Sequence, residues 1–536
     1  MELPEISAEE RTPLVLTLLS IIDQQQQRLA RLEELVQQLR DEIAILKGQK
    51  PRPQIAPSRL ESPRRQPPAE GEKRPGSEKR SKNAQLKIDQ EMVLKFPDPP
   101  PGAVSLGYEE FTVQELIIRT QTTRYWRERI ELPDGTTRLA PLPEEVLPHS
   151  HFGPSLISYV LDQYHHGHVT QPLLLEQLHE FGIDISVGQL NRLLTENQED
   201  FHEEKAELLP AGLATSAYVG VDDTGARHQG HNGYCTCIGN DRFAYFESTE
   251  SKSRLNFLTV LRGGHRDYVI NEVAVSYWEQ QKLSGELLEK FSQGPRHFAD
   301  EAAWQRRLAE LGITAQRHVR IATEGALLGS LIEHGVSPEL IVLSDGAGQF
   351  DVLVHASCWV HAERPLARMI PYNEAHRLAI EQLRQQIWEL YRDLKAYRHQ
   401  PRLAQKATLE ARFDALVNQH TDYPSINEVL KDMGDHRADL LRVLEQAAVP
   451  LHNNATESDI REYVKKRKIS GSTRSEAGRR CRDTFTSLKK TCRKLGIPFW
   501  DYLWDRVRGV GKIPRLAELI RQHAAEVTAG PGPVPA

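Results

Sequence analysis

Two short runs constrain this chain more than any other feature. VGVDDTGARH occupies 219–228 and LSDGAGQFDV occupies 343–352. Each sets an aspartate at the end of an apolar, strand-like stretch. A third element, HNNATESDIREYVKKRK at 452–468, places Glu457 at the start of a basic helix. Carboxylates at strand ends lie at a sheet edge, open to solvent and ligand. Two such acids and a helical one can hold two divalent ions about 3.5–4 Å apart, as two-metal phosphoryl transfer on DNA requires. Strand alternation turns Asp222 and Asp223 to opposite faces, so one is the primary ligand and the other its alternative. Taken singly, each acid has a plainer reading: a turn cap, an Asx turn, or an i,i+4 ion pair of Glu457 with Arg461. Together they favour a metal site.

A length of 536 residues implies several domains. The hydrophobic share of 39% and charged share of 26% suit at least one sizeable core. The net charge of −6 hides a strong asymmetry: 461–494 holds thirteen Lys or Arg against three acids. That reads as a local basic surface on an acidic chain. Arg461, Lys465 and Lys468 follow Glu457 at helical spacing and, with Arg474, are candidates for phosphate contacts. The five cysteines are sparse and show no disulfide-like spacing, which points to a reducing compartment. No apolar run reaches the ~20 residues of a membrane helix, and MELPEISAEE does not read as a signal peptide. The expectation is a cytoplasmic protein without a membrane partner.

Residues 1–48 read as a coiled coil. Ile22, Leu29, Val36 and Ile43 form one heptad series; Leu18, Gln25, Leu32, Leu39 and Leu46 form the other. β-Branched residues at a and Leu at d favour a parallel pair, hence a homodimer. Residues 49–103 are Pro-rich and basic, a disordered linker that cannot bury a core. Residues 104–150 carry β-prone runs around the turn Pro133-Asp134-Gly135 and predict a small β module. Residues 151–210 switch to helical period. Helix, tight turn, helix there predicts a helix-turn-helix domain, with Gln189, Asn191, Arg192 and Asn197 as groove contacts. Residues 211–368 are β-rich and then mixed, 369–452 helical, 453–526 helical and basic, and 527–536 a disordered tail.

Three antiparallel strands, a helix, then another strand with acids at two strand ends resembles a ribonuclease-H-like core. The expected class is α/β multidomain, with 211–368 as the first part of that core, 369–452 as an all-helical insertion, and 453–526 completing it. Cys358-Trp-Val-His361 has a C-x-x-H spacing, but no second ligand pair accompanies it. Cys358 and His361 are therefore read as ordering or packing residues, and zinc is not expected. No Walker motif is present.

VGVDDTGARHQGHNGYCTCIG resembles the D-E/D-T-G-x-R…G-K/H-N-G-Y block of bacterial DDE-type insertion-sequence transposases of the insertion-sequence sixty-six family. LSDGAGQF with CWVHAER resembles that family's second-aspartate and C-W-x-H-x-x-R blocks. NNATESDIREYVKKRKISGSTRSEAGRR and TCRKLGIPFWDYLWDRV resemble its glutamate and C-terminal blocks. The likeness spans most of 150–510, and the zipper and linker fit it too. It implies a catalytic and metal set of Asp222, Asp345 and Glu457, with Asp223 as alternative because DDT stands where DET is commoner. It also implies Mg²⁺, for which Mn²⁺ substitutes. The activity implied is strand cleavage and strand transfer, on element terminal repeats and target DNA, and accessory proteins of the same element are further expected partners. The rival readings are a DNA-binding regulator that has lost catalysis and a structure-specific nuclease.

Overall fold

The computed structural model describes residues 87–529, apart from 105, 144, 145, 148 and 149, and scattered positions between 12 and 28. Most of the predicted coiled coil and linker, and 530–536 of the predicted tail, lie outside the described residues, whereas 527–529 are helical rather than disordered. The chain divides into two units, Ile22–Thr122 and the remainder. The described residues of 87–122 in the first unit carry neither helix nor strand.

In the second unit, the described residues of 123–150 form one hairpin, β1 (Arg129–Glu131) and β2 (Thr137–Leu139). This is smaller than the expected module. The turn forms where Pro133-Asp134-Gly135 predicts it, and Asp134 Oδ1 accepts from the Thr136 N–H at 2.9 Å. Upstream of it, Trp126 is exposed, as are Phe111 and Ile117 of the first unit.

Helices follow: α1 (Pro154–His165), α2 (Gln171–Glu180), α3 (Val187–Thr195) and α4 (Glu199–Ala214). Proline opens α1 where its missing N–H costs nothing. Leu174 and Leu178 on α2, and Leu190 and Leu194 on α3, sit four apart and are buried. A capping box joins Ser186 and Gln189 at the start of α3.

The sheet contains β3 (Tyr218–Gly225), β4 (Tyr234–Gly239) and β5 (Ala244–Thr249). A crossover begins with α5 (Arg254–Leu261) and holds a helical module: β6 (Tyr268–Val269), α6 (Glu272–Gln280), α7 (Gly285–Ser292), β7 (His297–Phe298), α8 (Glu301–Glu310) and α9 (Gln316–Glu333). Trp278, Phe291 and Trp304 fill its centre. The chain then returns as β8 (Ile341–Ser344) and β9 (Val354–Ser357). Strand order is β5-β4-β3-β8-β9. β3, β4 and β5 run antiparallel, while β3, β8 and β9 run parallel.

After α10 (Trp359–Arg368) come α11 (Glu374–His399), α12 (Leu403–Val417), α13 (Pro424–Asp435) and the short α14 (Arg437–Leu440). Ile380, Leu383, Ile387, Leu390 and Leu394 stripe α11 at intervals of three and four and build a separate core for these helices. The chain re-enters the sheet region through α15 (Asn454–Ser470) and continues as α16 (Glu476–Lys494), α17 (Phe499–Arg508) and α18 (Leu516–Ala529).

Helix α16 seals the β5 edge with side chains. Asp483 Oδ2 accepts from the Ser248 N–H at 2.8 Å, Ser487 Oγ from Phe246 at 2.9 Å, and Thr491 Oγ1 from Ala244 at 3.2 Å. Four residues of helix advance about 6.0 Å and two of strand about 6.8 Å. The two periods match, so alternate edge N–H groups each meet one acceptor. An open edge would template pairing with another chain.

Candidate active site

Asp222 lies in β3 and faces α15. The approach of that helix requires Gly220: a Cβ there would lie 2.2 Å from Thr456 Oγ1 and 2.7 Å from Asn453 Oδ1. Asn453, just before α15, donates from Nδ2 to the Val221 carbonyl at 2.7 Å. Its own N–H meets Cys358 Sγ at 3.4 Å. The next residue, Trp359, donates its N–H to Leu451 at 3.0 Å and its indole N–H to Leu440 at 2.8 Å. The Cys-Trp pair thus fixes the segment that delivers Glu457 in the first turn of α15.

Asp222, Asp345, His361, Asn453, Glu457, Ile460 and Arg461 line one cavity of about 200 Å³. Burial raises the Asp222 pKa to about 6, with the charges of Asp345 and Glu457 adding to the effect and the Asp223 N–H bond opposing it. Asp345 is exposed, and its Oδ1 accepts from the Ala347 N–H at 3.1 Å. His361 Nδ1 lies 3.6 Å from Glu457 Oε1; both atoms are buried and neither has a hydrogen-bond partner. Burial and the nearby Arg364 lower the His361 pKa. Two aspartates and a glutamate with an unsatisfied buried oxygen form a hard-oxygen donor set that suits Mg²⁺.

Asp223 points away from this group. Thr236 Oγ1 donates to its Oδ1 at 2.6 Å, and Gln349 Nε2 to its Oδ2 at 3.2 Å. Both oxygens are engaged, and Asp223 does not line the cavity.

A model of the Transposase IS66 family matches residues 342–480. The chain is also 41% identical over 321 residues to the "Uncharacterized protein y4jO" of Sinorhizobium fredii, a match covering 59% of this chain and 100% of that protein. The chain belongs to the Transposase IS66 family. Within this IS66-family chain, the matched span holds Asp345 and Glu457 but starts beyond Asp222.

The basic residues separate into two groups. Arg461 and Lys465 are about 70% exposed, and Lys468 and Arg474 are exposed as well. Arg461 Nη2 stands 3.6 Å from Glu457 Oε2. By contrast, Lys466, Arg482, Lys489 and Lys490 are buried. Lys489 pairs with Glu462 at 2.7 Å and Lys490 with Asp459 at 3.4 Å. The basic surface is therefore thinner than the count over 461–494 implies, because part of that charge joins α15 to α16. Gln189, Asn191 and Arg192 stand on α3, outside the cavity. Gln189 is committed locally: its Oε1 accepts from the Ser186 N–H at 2.8 Å. Asn191 Oδ1 accepts from Gln171 at 3.4 Å, and Arg192 is exposed.

Several supporting residues escape sequence reasoning. Gly220 is one. Arg467 is another; its guanidinium donates to the Gly225 carbonyl and lies 3.3 Å from Thr224 Oγ1, tying α15 to the end of β3. A third is the Ser344–His355–Asp439 line behind Asp345. Each acts between segments far apart in the chain. Their only local signals are a glycine among strand formers and an arginine in a basic run.

Proposed function

We propose that this IS66-family chain is a transposase that cuts DNA at insertion-sequence ends and joins it to target DNA, with Asp222, Asp345 and Glu457 as its acids. The observation that carries this reading is the convergence of the three carboxylates, from β3, the turn after β8 and the head of α15, on one cavity. The strand order supports a ribonuclease-H-like core. Bound Mg²⁺, or Mn²⁺ in its place, would supply the positive charge that activates an attacking oxygen and steadies a leaving one. Asp222 stands central to the set, with Asp345 and Glu457 as its flanking carboxylates. His361, whose Nδ1 lies 3.6 Å from Glu457 Oε1, can donate to that oxygen and fix its orientation. Arg461, Lys465, Lys468 and Arg474 would contact backbone phosphates, so binding should weaken steeply with salt. Two element ends call for two copies of the chain, and the heptads of the first 48 residues offer the means.

A DNA-binding regulator without catalysis would have no use for three converging acids. The test is strand transfer with Mg²⁺ on a labelled element-end duplex, comparing wild type with Glu457→Gln. Joined product from wild type alone supports the reading. Cleavage without joining indicates a nuclease. Binding without cleavage, with Mn²⁺ and accessory proteins present, indicates a regulator. Equal activity in Glu457→Gln removes Glu457 from the set.

A further inference from the structure

A second group of ligand-type side chains lies outside the acid cavity, where the crossover module begins and ends. His265 and Asp267 precede β6, and His334 follows the last residue of α9. One donor atom from each lies within 4.8 Å of the others. His334 Nε2 stands 2.9 and 3.1 Å from the two Asp267 oxygens. The His265 and His334 rings stack with centroids 3.4 Å apart.

The carboxylate is held from behind. Ser330 Oγ donates to Asp267 Oδ1 at 3.0 Å, and Arg262 Nη1 donates to the Asp267 carbonyl at 2.7 Å. Outer partners of this kind orient metal-ligating groups. His334 caps the C-terminus of the eighteen-residue α9, where the helix dipole favours a cation. A cavity of about 50 Å³ reaches both histidines, room for an ion and one water.

The plain alternative is a His334–Asp267 ion pair with His265 resting on it. That reading gives His265 no bonding role, since its imidazole makes no hydrogen bond among the described residues. Neutral imidazole is the ligand form. Tetrahedral Zn²⁺ at about 2.0–2.2 Å from each ligand sets its donors about 3.3 Å apart, close to the His334–Asp267 spacing. The exposed His265 ring has only to turn out of the stack to present a nitrogen.

We propose that His265, Asp267 and His334 bind a borderline divalent transition-metal ion, Zn²⁺ foremost, which pins the two ends of the crossover module together. This does not depend on the transposase reading. It departs from the expectation of no zinc, which was argued from the isolated C-x-x-H pair alone. A ligand 67 residues from its partner leaves no short spacing to find.

The experiment is Zn²⁺ titration by calorimetry on the full chain carrying Asp345→Asn, in excess Mg²⁺, so that the acid cavity does not compete. One Zn²⁺ per chain with micromolar or tighter affinity is expected. His265→Ala, Asp267→Asn and His334→Ala should each weaken it at least about tenfold. Zn²⁺ should also protect 265–338 from trypsin, and the protection should be lost in His334→Gln. That variant keeps a hydrogen-bond donor towards Asp267, so its metal-free melting temperature should match its parent's and separate ligand loss from unfolding. Unchanged affinity in the His265→Ala/His334→Ala double variant, or binding no tighter than millimolar in the parent, would overturn the site. Full binding in His265→Ala alone would overturn the three-ligand set.

Discussion

The Ser344 hydroxyl lies 2.8 Å from Nε2 of His355, and Nδ1 of the same ring lies 3.0 Å from Asp439. Serine, histidine and aspartate in line suggest a nucleophile, but Ser344 is fully buried. Its oxygen instead accepts from the Gly346 N–H at 3.0 Å, inside the turn that presents Asp345. The line is a brace from α14 of the helical insertion, through β9, to an acid of the site.

Removing the brace should loosen the acid without moving the DNA-contacting face. His355→Ala leaves the buried Ser344 O–H without its acceptor, at a cost of about 1–3 kcal/mol. Turnover should fall while DNA affinity holds, and His355→Gln should restore part of the rate. Urea unfolding with single-turnover cleavage and a DNA-binding titration separates these quantities. Parallel loss of rate and binding would argue for general damage.

Gly220→Ala should act at a distance. Its methyl meets Thr456 and Asn453 and pushes α15 off β3, costing about 1–3 kcal/mol in strain. Because Glu457 travels with α15, cleavage should fall by more than the lost stability explains. Denaturation midpoint and cleavage rate, measured on the same preparation, test this.

The two adjacent aspartates should behave differently. Asp222→Asn should abolish cleavage. Asp223→Asn keeps an acceptor for Thr236 and should leave measurable activity with some loss of stability. Cleavage assays of the pair decide the matter, and the reverse pattern would exchange their roles.

Acidification should weaken metal binding at Asp222. Its pKa is raised from 3.8 to about 6. Between those values the folded chain holds a proton that the unfolded chain has released. Folding stability from this group therefore falls as pH rises through that window, and the penalty persists above it. A divalent ion competes with the same proton, so apparent Mg²⁺ affinity should drop as pH falls below about 6. Mg²⁺ titrations across that range check it, and Asp222→Asn should remove the dependence.

Much of the sheet and the acid set was legible in the sequence because both rest on local pattern. Apolar runs marked β3 and β8; Asp345 directly follows β8, whereas Asp222 lies inside β3, which continues to Gly225. The 3.6-residue period marked α1 to α3 and the stripe along α11. The β-prone runs of 104–128 form no strand among the described residues, because β propensity records fit to a packed neighbour rather than a backbone preference. The basic run misled for the opposite reason: charge counts do not reveal that Lys489 and Lys490 turn inward to Glu462 and Asp459. Gln189 carried a base-reading side chain, yet the capping box engaged it first.

The side-chain ladder from α16 to β5 has a consequence in time. Ala244 and its acceptor Thr491 are 247 residues apart. At about 5–20 residues per second, synthesis leaves the strand edge bare for roughly 12–50 s. Over most of that interval Glu457 does not yet exist, and once Asp345 has been made the nascent chain holds two aspartates without the glutamate. The order in which the ribosome delivers these segments completes the three-carboxylate cavity only shortly before the sheet edge is sealed.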